Sequence, residues 1–159
     1  MAAPREQTNK IDAHADMSLR DMVTYRIQRL AFEMARNATH MYRERFGISL
    51  GEGRALGALG ETGTVSLNQL ARIGRLDKGQ MSRVIAGLVK RGLVLRERGA
   101  DGGNAISLSL TEDGQQLFET LREVVLGRDG AYVDAMTDEE RAAFERIITK
   151  FSGVARNQR

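Results

Sequence analysis

Ser66-Leu67-Asn68-Gln69-Leu70-Ala71-Arg72-Ile73-Gly74-Arg75-Leu76-Asp77-Lys78-Gly79-Gln80-Met81-Ser82-Arg83-Val84-Ile85 is the stretch on which the fold turns. Ser66 with Gln69, and Asp77 with Gln80, each set a capping oxygen three positions before an amide side chain. At that spacing a helix satisfies its first orphan N–H groups. Behind Ser66 come Leu67, Leu70 and Ala71; behind Asp77 come Met81, Val84, Ile85 and Leu88, at helical intervals. Two short helices are therefore predicted, 66–73 and 77–91, with only Gly74-Arg75-Leu76 between them.

The same signals order the rest of the chain. Ser49 with Glu52 opens a predicted helix over 49–59, and Thr137 with Glu140 opens one over 137–154. Thr111, followed by Glu112 and Asp113, opens another over 111–136, with its carboxylates at the positive end of the helix dipole. Upstream, Val23, Ile27, Leu30, Met34, Ala38 and Met41 predict a long helix over 18–45. After residue 91 the period changes. Residues 93–98 and 105–110 read as strands, and Gly99-Ala100-Asp101-Gly102-Gly103-Asn104 between them is rich in residues that tolerate positive φ, so a β-hairpin is predicted.

The fold class is thus mainly α with a small β-hairpin. Two close helices followed by a hairpin is the order of a winged helix-turn-helix, here assigned to residues 49–110. Residues 18–48 and 111–159 read as a helical dimerisation region, because their apolar stripes exceed what one small module can cover. On the last helix that stripe is Phe144, Ile147, Ile148, Phe151 and Val154, and residues 1–17 read as a polar N-terminal arm.

Composition narrows the function. The 159 residues are 42% hydrophobic and 28% charged, the profile of a soluble globular protein. No apolar run approaches the roughly 18 residues of a membrane span, and no segment has signal-peptide character, so a cytoplasmic protein without membrane contact is expected. Without cysteine there is no thiolate metal site, thiol nucleophile or disulfide, and the two histidines, His14 and His40, lie far apart. No metal or cofactor is expected. With no histidine–carboxylate constellation or nucleophile–base pair, neither is an enzyme. The methionines read as core filling, Gly51-Glu52-Gly53-Arg54-Ala55-Leu56-Gly57 as a closely packed helix rather than a nucleotide loop, and Asp138, Glu139 and Glu140 as dipole partners.

Charge is unevenly placed: residues 1–65 carry a net +1, residues 66–110 a net +5, and residues 111–159 a net −3. A basic segment between neutral and acidic flanks is the asymmetry of a nucleic-acid-binding module. On the helix over 77–91, Met81, Val84, Ile85 and Leu88 must face inward, which turns Gly79, Arg83, Ala86 and Lys90 outward with Ser82 beside them. Small residues there let the helix approach a groove, and Arg83 can reach a guanine edge or a phosphate. Lys78 and Ser82 sit at the helix N-terminus, where phosphates are favoured. Ser66, Arg75 and Gln80 complete the predicted DNA face around this helix.

Residues 66–114 resemble the MarR family of bacterial transcription regulators. The resemblance is most specific in Lys90-Arg91-Gly92-Leu93-Val94 and Leu110-Thr111-Glu112-Asp113-Gly114, and in element order it spans residues 20–154. It implies a homodimer on a palindromic operator in double-stranded DNA, mostly as a repressor. The family's wing usually carries an acidic residue and, two positions later, an arginine that enters the minor groove. Here Asp101 is followed two positions later by Gly103, which supplies no cation, so the wing contact is expected from Arg96 and Arg98 at the wing's base, together with Asn104. The resemblance further implies a cleft for a small aromatic acid or phenol walled by the first helix, where Tyr25, Arg29, Arg36, His40 and Arg43 offer charge and ring packing. The competing reading is a winged-helix protein-interaction module that does not bind DNA.

Overall fold

The computed structural model describes residues 17–98 and 106–158. These contain six helices: α1 (Val23–Phe46), α2 (Leu50–Thr62), α3 (Leu67–Gly74), α4 (Lys78–Lys90), α5 (Glu112–Val133) and α6 (Asp138–Asn157). The strands are β1 (Val65–Ser66), β2 (Val94–Arg98) and β3 (Ile106–Leu110). The chain falls into two compact units, one ending at Leu50 and the other beginning at Gly51.

The caps that ordered the sequence are present as hydrogen bonds. Ser66 and Thr137 form complete capping boxes with Gln69 and Glu140. Asp77 accepts from the Gln80 N–H, and Thr111 from the Gly114 N–H. In the Thr137 box the Glu140 carboxylate accepts from the Thr137 N–H at 2.8 Å and from its hydroxyl at 3.0 Å. Those bonds, the backbone one foremost, hold the Glu140 pKa below its ordinary value. The box therefore supports α6 above the usual carboxylate range and loses that support as pH falls through the lowered pKa.

Two elements differ from expectation. The first helix begins at Val23 rather than Ser18, because Ser18 caps a separate 3₁₀ turn, Leu19–Asp21, and Met22 is extended at φ −62°, ψ 135°. The hairpin also gains a third strand: β1 pairs antiparallel with β3 through Val65↔Leu108 and Ser66↔Ser107, giving the sheet order β1-β3-β2. The hairpin itself pairs Val94 with Leu110 through to Arg98 with Ile106. The expected arm over residues 1–17 and the hairpin tip lie outside the described residues, save Met17.

The unit from Gly51 onward has one apolar core. Leu56, Leu59, Leu70, Met81, Leu88 and Leu108 are fully buried, and Val94, Phe118 and Leu121 close it. No polar or charged side chain among the described residues is buried. After α4 the chain reverses at Gly92, whose φ of 72° is the left-handed region that L side chains rarely adopt. The Leu93 N–H there returns to the Leu88 carbonyl at 3.0 Å. Arg75, which ends α3 at φ 52°, ψ 42°, is the one non-glycine residue at positive φ among those described. Such a backbone costs an L residue about 1 kcal/mol or more.

α2 is thin where it must be. A Cβ on Gly60 would overlap the Phe118 ring, whereas Gly57, one turn earlier, has nothing within 4 Å. Gly60→Ala is expected to destabilise the chain by about 1–3 kcal/mol through overpacking. Gly57→Ala is expected to stabilise it by about 0.5–1 kcal/mol through helix propensity. Urea denaturation followed by circular dichroism distinguishes the two signs.

Candidate nucleic-acid interface

The orientation of α4 follows from its buried spine. Met81 and Leu88 are fully buried and Ile85 nearly so, with Val84 half-buried at the edge. Arg83, Ala86 and Lys90, with Gly79 in the first turn, fall on the opposite, exposed side, as the spacing predicts. Lys78, Gln80 and Ser82 are exposed around the N-terminal turn. The Asp77 carboxylate accepts from the Gln80 N–H at 2.8 Å, which fixes where this helix starts. Gly87 belongs to the flank instead: a Cβ there would lie 3.7 Å from Oε1 of Glu52 on α2. That same carboxylate oxygen pairs with the Arg91 guanidinium at 3.4 Å, tying α2 to the C-terminal end of α4.

The remaining predicted DNA-face residues occupy different settings. The Ser66 hydroxyl is engaged in its own cap, donating to Gln69 Oε1 at 2.8 Å and accepting from the Gln69 N–H at 3.3 Å. Arg75 is exposed in the turn between α3 and α4. Arg96 stands opposite Leu108 in the sheet and lines a small cavity of about 20 Å³ with Leu67, Ser82, Ile85 and Ile106. Arg96 thus shares that cavity with the N-terminal half of α4 while remaining exposed, at the base of the wing. Arg98 ends β2, its side chain outside the described residues; Asn104, with Asp101 and Gly103, lies outside them as well.

The first unit carries the other predicted site. Tyr25, Arg29, Arg36, His40 and Arg43 are all exposed on α1. The structure brings only some of them together. Arg36, His40 and Arg43 line an open hollow of about 460 Å³ along the helix with Phe32, Ala35, Thr39 and Glu44. Tyr25 and Arg29 are not part of it, and Arg29 is paired with Glu33 at 3.3 Å. The Thr39 hydroxyl is spent on the Ala35 carbonyl at 2.8 Å. Phe32, 68% exposed, was not among the residues chosen from the sequence. Its position seven residues after Tyr25 and four before Arg36, on one helical stripe, is a signal the sequence did contain.

Among the described residues no cluster of histidine and carboxylate side chains could hold a metal, and no helix is long and apolar enough to cross a membrane.

Residues 46–103 match the MarR family. The fold is shared with solved structures over most of the chain. MepR of Staphylococcus aureus, solved as a DNA complex, superposes with a TM-score of 0.75 at 21% identity, over 84% of this chain and 98% of its own. A MarR/EmrR family transcriptional regulator from Acinetobacter sp. ADP1 gives 0.77 at 22% identity, over 92% and 98%. NadR, solved with 4-hydroxyphenylacetate, gives 0.68 at 20% identity, over 84% and 95%. No curated protein sequence matches the chain. Residues 46–103 thus match the MarR family, as the resemblance implied, on a fold shared with a solved MarR/EmrR family transcriptional regulator.

Asp77→Ala leaves the Gln80 N–H without its partner, and is expected to cost about 1 kcal/mol of stability in urea denaturation. Asp77→Ser should retain most of it.

Proposed function

We propose that the chain is a cytoplasmic, homodimeric, sequence-specific DNA-binding transcription regulator, acting as a repressor that a small aromatic acid or phenol releases. In this reading residues 49–110 contact DNA, while residues 18–48 and 111–159 join two copies. The observation that carries it is the outer face of α4, where Arg83 and Lys90 stand exposed with only small residues between them, opposite the buried Met81, Ile85 and Leu88. A helix of that kind can lie in a major groove, Arg83 reading a base edge and Lys90 holding a phosphate. Lys78, Gly79, Gln80, Ser82 and Arg75 flank it on the same module, and Arg96 adds a cation from the base of the wing. The MepR complex with DNA supports the same use of this fold.

Two-fold association is supported by what the single chain leaves uncovered. α6 has no buried residue, although Phe144, Ile147, Ile148, Phe151 and Val154 form an apolar stripe along it. Val23, Ile27, Leu30 and Met34 on α1 are exposed too. A second copy covers such stripes and sets two α4 helices about one DNA turn apart, matching a palindromic operator.

For the effector, the hollow beside Phe32 offers a ring to stack on and Arg36, His40 and Arg43 to meet a carboxylate or phenolate. NadR was solved with an aromatic acid of this chemistry. Release requires only that the ligand favour, by a few kcal/mol, a dimer geometry that does not fit the operator.

Fluorescence anisotropy tests the reading, using DNA from upstream of the protein's own coding region against a scrambled duplex over a salt series. Arg83→Ala is expected to weaken operator binding about 10- to 100-fold and to relax specificity. Lys90→Ala should weaken both duplexes alike and lower the salt slope by about one. If no genomic fragment is preferred over scrambled DNA, the reading fails. In the same assay a panel of aromatic acids should raise the operator Kd, and Arg36→Ala should abolish that response while leaving ligand-free DNA affinity unchanged.

A further inference from the structure

Every position at positive φ among the described residues is a glycine, Gly47, Gly63 and Gly92, except Arg75. The turn that Arg75 occupies makes no use of its side chain. Its hydrogen bonds are backbone ones, from the Arg75 N–H to the Arg72 carbonyl at 3.4 Å and from the Leu76 N–H to the Ala71 carbonyl at 3.1 Å. The guanidinium is exposed and has no hydrogen-bond or ion-pair partner among the described residues. The neighbouring acid, Asp77, has its carboxylate turned to the Gln80 N–H. Glycine at 75 would therefore satisfy the turn with less strain. An unfavourable backbone kept beneath an unengaged cation, three residues before the first residue of α4, calls for a ligand of that cation.

We propose that Arg75 grips a backbone phosphate of duplex DNA where α4 enters the groove, so that the turn holds a strained residue in exchange for a contact made only in the complex. The proposal rests on the DNA-binding reading above and deepens it. Arg75 projects from the turn rather than from the groove-facing side of α4, so it adds affinity and fixes the angle of approach without reading sequence. A guanidinium can meet two phosphate oxygens at once, which a lysine cannot reproduce in full. The competing explanation is that the cation complements the negative C-terminal end of α3, in which case its removal weakens the fold itself.

Arg75→Gly and Arg75→Lys in the full chain separate these. Thermal melting by circular dichroism is paired with anisotropy titrations of a fluorescein-labelled scrambled duplex and of the upstream duplex. Arg75→Gly is expected to melt no lower than wild type, to raise Kd about tenfold on both duplexes, and to reduce the slope of log affinity against log salt by about one. Arg75→Lys should keep most of the salt slope and lose less affinity. Unchanged DNA binding by Arg75→Gly overturns the proposal, as does a loss of binding that comes with a lowered melting temperature. Failure of the wild-type chain to bind either duplex overturns the DNA reading itself, and is seen before any variant is measured.

Discussion

Between α3 and α4 there is no room for a side chain at Gly74, and much of the winged module follows from that. A Cβ there would lie 2.7 Å from Cε of Met81, the end of a completely buried side chain, which would have to shift to admit it. The close approach seats Met81 in the core. A helix turns by about 100° per residue, so fixing Met81 fixes Ile85 and Leu88 on the same buried side and forces Arg83, Ala86 and Lys90 outward. The outer face of α4 is thus a by-product of core packing: its residues are free to be chosen for a ligand because its rotation is set by others.

Much of this was legible because caps are local. Ser66, Asp77, Thr111 and Thr137 act within three residues of themselves, and each starts its helix where the sequence places it. Ser18 misled for the same local reason: its oxygen does cap a turn, but Met22 is extended beyond it and the long helix starts afresh. β1 was illegible because two residues carry no period; it exists through pairing with β3 some forty residues away in sequence. Among site residues, periodicity was enough to place Arg83 and Lys90, whose exposure is determined by the buried spine beside them. It did not show that Arg96 shares a small cavity with Ser82 and Ile85, which depends on how the sheet meets α4. That is a fact of tertiary neighbourhood. The hollow on α1 falls between: Arg36, His40 and Arg43 share a helical stripe that spacing reveals, but that Tyr25 and Arg29 do not line the hollow is seen only in the folded helix.

Different stretches of the chain answer to different demands. In the winged module charge is displayed outside, and no polar or charged side chain among its described residues is buried. α1 is two-sided, with the Val23, Ile27, Leu30, Met34 stripe on one side and the Tyr25, Arg29, Phe32, Arg36 stripe on the other, both largely exposed.

The bare flanks of α6 bear on how the protein comes to be folded at all. A helix with no buried residue draws its stability from propensity, the capping box at its N-terminus, and whatever docks on it; helices of this length are marginal in water by themselves. If that docking surface is a second copy, mass action links helix content to protein concentration. A newly made molecule at low abundance would then be a finished winged module trailing an unfinished helix, exposed to proteases. Abundance would govern lifetime as well as occupancy, and the cell would hold few idle single chains.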